Sequence, residues 1–149
     1  VMSERKSPSI EDLTAAVSDR ARSVFQVLRS QSLSEPGVTE RVVFDGLAKE
    51  WTPAFYYKGK QLFHVHLYED GVNVTFPVSA KVVRPLILQS PDVPERFKAA
   101  VKAPRPRSDA LWLAFPLMSE EDVKGFMTMA RVKLRAFRSS EQTTTFDRF

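Results

Sequence analysis

Two tight-turn signals between Trp51 and Pro77 constrain this chain more than any other feature. Lys58-Gly59-Lys60 and Glu69-Asp70-Gly71 separate three runs of alternating apolar residues, 54–58, 62–68 and 72–78. Turns at those places, with an apolar residue at every second position, predict an antiparallel meander. In the middle run Phe63, Val65 and Leu67 point one way, and His64, His66 and Tyr68 point the other. In the third run Val72, Val74 and Phe76 oppose Asn73, Thr75 and Pro77. One face is therefore apolar and the other mixed, as expected for a sheet that helices cover on one side only.

Helical spacing brackets the meander. Ser9 and Asp12 form a capping-box pattern, and Ile10, Leu13, Val17, Ala21, Val24 and Leu28 then recur as the apolar face of one helix. The polar run 30–35 and Pro36-Gly37 end it. A strand is predicted over 38–44, followed by an Asp45-Gly46 turn, while 47–52 carries no clear pattern and Pro53 argues against a continuing helix. Short helices are expected over 79–88, with Pro85 in an early turn, and over 91–102. Pro104 and Pro106 among basic residues make 103–109 an exposed loop, and the almost wholly apolar 111–117 reads as a buried central strand. Ser119 and Asp122 cap a last helix whose apolar face is Val123, Phe126, Met127, Ala130, Leu134 and Phe137. The expected fold is α+β: a single compact domain over 1–137, with a mainly antiparallel sheet of about five strands packed on one face by N- and C-terminal helices. Residues 138–149 form a polar C-terminal tail.

Composition removes several function classes. The 149 residues include no cysteine, which excludes disulfides, thiolate zinc sites and cysteine nucleophiles. No apolar run approaches the ~20 residues of a membrane helix. Residues 1–9 are polar and lack the apolar core of a secretory signal, so a cytoplasmic protein without a membrane partner is expected. The five glycines are dispersed and build no phosphate-cradling loop, and no G-x-S-x-G elbow occurs. Net charge is +4, with 7 basic and 8 acidic residues in 1–50, 6 and 4 in 51–100, and 9 and 6 in 101–149. That excess is too small to argue nucleic-acid binding by itself.

Several signals fall in a suggestive order: Trp51 before a strand, Lys58-Gly59-Lys60-Gln61-Leu62, and a hairpin through Asp70-Gly71. Pro94-Glu95-Arg96-Phe97 on a helix, Trp112-Leu113 on a strand, and Glu121-Asp122-Val123 opening the last helix follow. Over about residues 38–137 this order resembles a small bacterial family of unknown function, similar in outline to the YjbR-like and YdhG-like small α+β domains. The resemblance implies a fold and brings neither an activity nor a catalytic residue. The two histidines are not part of it.

The candidate ligand-binding residues are Trp51, Tyr57, His64, His66 and Tyr68, a polar and aromatic set that could cradle a flat or apolar ligand. Alternation puts Phe55 and Tyr57 on one face and Tyr56 on the other, so these aromatics do not all share one pocket. His64 and His66 also have the spacing of a bidentate metal pair, with Glu69 as a third donor. With two histidines and no cysteine they read more simply as outer-face polar groups, and neither a metal nor a cofactor is assigned. Lys124, Arg131, Arg135 and Arg138 form a basic stripe suited to a phosphate-bearing or acidic macromolecular partner. The expected function is a non-catalytic binding domain for an unknown small molecule or protein, with the basic helix or a small hydrolase or isomerase as alternatives. Pairing of two copies through a sheet edge or the meander face is a further expectation.

Overall fold

The computed structural model describes residues 6–104 and 108–147, with side chains as far as 141. Helices α1 (Ile10–Ala15) and α2 (Asp19–Leu33) precede strands β1 (Val38–Asp45), β2 (Glu50–Tyr57), β3 (Lys60–Tyr68) and β4 (Gly71–Ser79). Helices α3 (Val83–Gln89) and α4 (Glu95–Lys102), strand β5 (Ala110–Leu117) and helix α5 (Glu120–Asp147) complete the chain. The fold is α+β: the strands form one antiparallel meander in the order β1-β2-β3-β4-β5, with N- and C-terminal helices packing on it. No described helix is long and apolar enough to cross a membrane.

Contacts gather into two compact units, 1–76 with 114–123, and 77–113 with 124–149. In the first, the meander follows its sequence pattern. Phe63, Val65, Val74 and Phe76 are fully buried, whereas His64, His66, Asn73 and Thr75 are half-buried on the other face. The Phe55 and Phe63 rings meet across β2 and β3 at 5.1 Å. Arg29 of α2 grips Glu40 of β1 with a two-pronged ion pair, Nε to Oε2 at 2.8 Å and Nη2 to Oε1 at 2.9 Å. A planar fork matched to a carboxylate fixes direction as well as distance.

The single N-terminal helix expected from periodicity is two helices, because Ser18 interrupts it. Its hydroxyl accepts the Ala21 N–H and donates to Asp70, and its own N–H donates to the Glu69 carbonyl at 2.6 Å. The β3–β4 turn thus tethers the chain at Ser18 and restarts the helix there. Nothing in 16–18 breaks helices by propensity, so only this long-range contact reveals the break.

Strand β5 corrects another expectation. It lies at the sheet's edge, alternating exposed and buried, and Trp112 is 67% exposed. Its exposed positions, Ala110, Trp112, Ala114 and Pro116, are themselves apolar, which hid the alternation. Helix α5 continues through 138–147, the stretch read as a tail, since no glycine or proline follows Gly125 to stop it. Arg105 and Arg107 of the basic loop lie outside the described residues.

In the second unit, α4 and α5 approach closely at Gly125. A Cβ there would stand 2.6 Å from Phe97 Cε2 and 3.3 Å from Pro94 Cγ. Alanine is favoured over glycine in a helix by ~1 kcal/mol. Forcing a methyl into a packed contact costs ~1–3 kcal/mol, and the Phe97 ring it would meet is buried. Overpacking therefore outweighs propensity. Gly125→Ala is expected to lower the urea midpoint of unfolding, and an unchanged or raised midpoint would show that the ring moves freely.

Candidate functional site

The cluster begins at a hairpin. Asp45 ends β1 and Glu50 opens β2, directly opposite each other in the register, so both carboxylates occupy one face. Within the intervening turn, Asp45 Oδ1 accepts the Leu47 N–H at 2.9 Å and the Ala48 N–H at 3.1 Å. Those backbone donors, chiefly Ala48, hold the carboxyl below its usual range, with the nearby histidines adding to the effect against some burial. With Oδ1 committed, Oδ2 faces the histidines.

Strand β3 supplies the imidazoles. Its ladder with β2 runs from Tyr57↔Lys60 to Ala54↔His64, and the next residue of β2 is Pro53, which has no N–H to donate. A register shift at Phe55/Tyr56 leaves one extra residue on β3, so Leu62 and Phe63 are both buried. The bulge brings Gln61 within reach of His64. Gln61 Oε1 lies 3.3 Å from His64 Nδ1, and its amide N–H donates to the Tyr56 hydroxyl at 3.4 Å. Glu50 Oε1 lies 2.5 Å from His66 Nδ1.

Both Nδ1 partners are acceptors, so in the neutral imidazoles each Nδ1 carries the proton and each Nε2 presents a lone pair. Both Nε2 atoms lie 3.6 Å from the same Asp45 Oδ2, too far for hydrogen bonds. The three atoms lie within 4.8 Å of one another. The two rings are 5.0 Å apart at 69°, and Tyr68 stacks on His66 at 6.3 Å. Burial pushes the His64 pKa below its ordinary value, as would a proton on the neighbouring His66, against a smaller opposing pull from Asp45. Across the ladder from His66 stands Asn73, whose Oδ1 is buried with no hydrogen-bond partner.

His64, His66 and Tyr68 therefore come together, as the alternation pattern predicts. Tyr57 lies elsewhere, buried against the position of Gly37, where a Cβ would come within 2.8 Å of its ring. Trp51 packs edge-on to Phe44 at 5.4 Å, one residue out of step with Glu50 and so on the opposite face. Asp45, Glu50 and Gln61 escape the sequence reading. The Asp-Gly turn signal was the available clue to Asp45, while Glu50 sits in the unpatterned 47–52 and Gln61 depends on the bulge. The carboxylate whose oxygen converges with both Nε2 atoms is Asp45, where the sequence had offered Glu69 as the third donor.

On α5, Lys124 and Arg135 are exposed, and Arg131 and Arg138 are half-buried. Arg135 lines an open groove of about 570 Å³ with Val82, Leu86 and Asp92. The unexpected cation is Lys133, buried at 4% exposure, with Nζ donating to the Pro77 carbonyl and lying 5.5 Å from the Phe137 ring. Burial lowers its pKa from 10.5 to about 7.

Two measurements check these assignments. Because the folded pKa of Lys133 lies below the unfolded one, the unfolded chain binds the extra proton between those values, and stability rises with pH there. Urea unfolding at pH about 7.5 and about 9.5 is expected to show that rise, with a contribution of up to ~1.4 kcal/mol per pH unit, and Lys133→Met is expected to flatten it. Equal pH slopes in both chains would contradict the assignment. Long-range ¹H–¹⁵N NMR is expected to find His64 as the Nδ1–H tautomer, titrating below 6.5; an Nε2–H signal would reverse the hydrogen-bond assignment.

No family model matches this chain, and no match was found among curated proteins or among solved structures.

Proposed function

We propose that this protein is a non-catalytic binding domain whose ligand seats on the mixed face of the meander, at His64, His66 and Tyr68 with Asp45 beside them. The observation that carries this reading is convergence: two Nε2 atoms from one strand, each 3.6 Å from one carboxylate oxygen of another. Three electron-rich atoms aimed at one point are costly for a fold to hold by themselves. Glu50 and Gln61 fix the ring orientations behind them, so the cost is built in and not incidental.

The close Glu50–His66 contact would also suit a general base in a small hydrolase or isomerase. What faces His66 Nε2, however, is an Asp45 oxygen held ionised and without a proton to give. That arrangement favours binding over proton transfer.

The test is native mass spectrometry of the untagged chain equilibrated with a small-molecule cell extract. The wild-type chain is expected to retain added mass that a His64→Ala/His66→Ala variant loses while keeping its circular dichroism and its thermal midpoint. Retention by the folded double variant, no retention by the wild type, or collapse of the variant's fold would each overturn the reading, the last by making the histidines structural.

A further inference from the structure

We propose that Asp45, His64 and His66 bind a single divalent transition-metal ion through Asp45 Oδ2, His64 Nε2 and His66 Nε2. This names the ligand class of the face described above and rests on that reading.

Asp45 and Glu50 stand as directly opposed like charges in the β1–β2 ladder, an arrangement that is destabilising unless something positive lies nearby. The imidazoles next to them present lone pairs, and the only protons on those rings point away, toward Glu50 and Gln61. A cation at the convergence point answers all three donors at once.

Ligands bonded at ~2.0–2.1 Å and set at tetrahedral angles stand about 3.3–3.4 Å apart. Asp45 Oδ2 lies 3.6 Å from each Nε2, so a shift of a few tenths of an ångström completes those two edges, while the edge between the two Nε2 atoms, which lies within 4.8 Å, closes by rotation of the imidazoles. The donors sit on paired strands, with His64 in the β2–β3 ladder and both histidines in the β3–β4 ladder. The backbone thus pre-positions them.

A ligating histidine ordinarily donates its other ring N–H to a carboxylate or carbonyl, which fixes the tautomer and raises the basicity of the ligating nitrogen. His66 has Glu50 in that role and His64 has the Gln61 amide oxygen, itself oriented by Tyr56. Asp45 is oriented likewise by two backbone N–H groups on its other oxygen. All three ligand groups therefore have an orienting partner, a coincidence that a merely solvated polar face has no reason to produce.

The donor chemistry sets the class. Two imidazoles and one carboxylate suit Zn²⁺, Co²⁺, Ni²⁺, Fe²⁺ or Mn²⁺, whereas Mg²⁺ and Ca²⁺ prefer all-oxygen sites and Cu⁺ prefers sulfur. Three protein donors leave a coordination position for water or an external ligand. Asn73 Oδ1, buried and unpartnered across the ladder from His66, is an acceptor that water on the ion would satisfy. The competing account is a proton network with no metal, in which the histidines serve as cations to the two carboxylates.

The deciding experiment uses the full untagged chain stripped with a chelator, titrated with Zn²⁺ by calorimetry and with Co²⁺ by visible absorption. One ion per chain is expected, with an intense low-coordinate Co²⁺ spectrum and a raised thermal midpoint on adding Zn²⁺. His66→Ala and Asp45→Asn are expected to lose that binding, Glu50→Gln to weaken it about 10–100-fold, and Glu69→Gln to leave it unchanged. Should His66→Ala fail to fold, Asp45→Asn and Glu50→Gln, which keep side-chain shape, carry the decision. No one-to-one binding by the wild type, or equal binding by folded Asp45→Asn, would overturn the proposal and favour the proton network. That failure is separable from failure of the wider reading: a stripped chain that ignores Zn²⁺ and Co²⁺ but retains an organic mass, lost in His64→Ala/His66→Ala, still binds on this face.

Discussion

The pairing of β2 with β3 is the constraint on which both faces of the meander depend. Phe55 against Phe63 on one side and Ala54 against His64 on the other are consequences of a single register. A slip of one residue would send the histidines into the core and the phenylalanines outward. Burying Phe55, Phe63, Val65, Val74 and Phe76 stabilises the sheet by roughly 1.5–3 kcal/mol for each side chain, before conformational entropy is charged against it. The apolar face thereby holds in place the strands that carry the polar cluster.

That cluster is assembled by departures from regular structure. Pro53 precedes Ala54, where the pairing of β2 with β3 ends, the extra residue at Leu62 turns Gln61 toward His64, and the Asp45 turn consumes one carboxylate oxygen and aims the other. Each departure is a small local cost, and all three converge on the same few ångströms. Locally imperfect backbone concentrated at a polar cluster is what a functional site leads one to expect.

The second unit solves a different problem. There, α5 must come close to α4, which Gly125 permits by having no side chain to collide with Phe97. The same helix carries Lys133 inward, where its stem lies among apolar groups and its nitrogen meets the Pro77 carbonyl. Burial of that amine is eased because its pKa falls to about 7, so that it gives up its proton far more readily than an exposed lysine.

Much of this was legible in the sequence. Alternation placed Phe63 and Val65 opposite His64 and His66, and turn residues placed both hairpins, because strand periodicity is a local geometric property that burial then enforces. Helical spacing gave most of α5's buried face, but it ran through Ser18, since apolar spacing does not register a helix break caused by a contact some fifty residues away along the chain. It also offered no reason to bury Lys133. The order of β5 at the sheet edge was hidden because its exposed positions are apolar, so hydrophobicity and burial parted company. What the sequence by itself determined was the alternation of strand faces and the identity of the imidazoles on one of them. Only the tertiary structure decided which carboxylates and amide meet those imidazoles, because strand pairing, one bulge and one turn bring 45, 50 and 61 to 64 and 66, and no local pattern encodes a meeting between different strands.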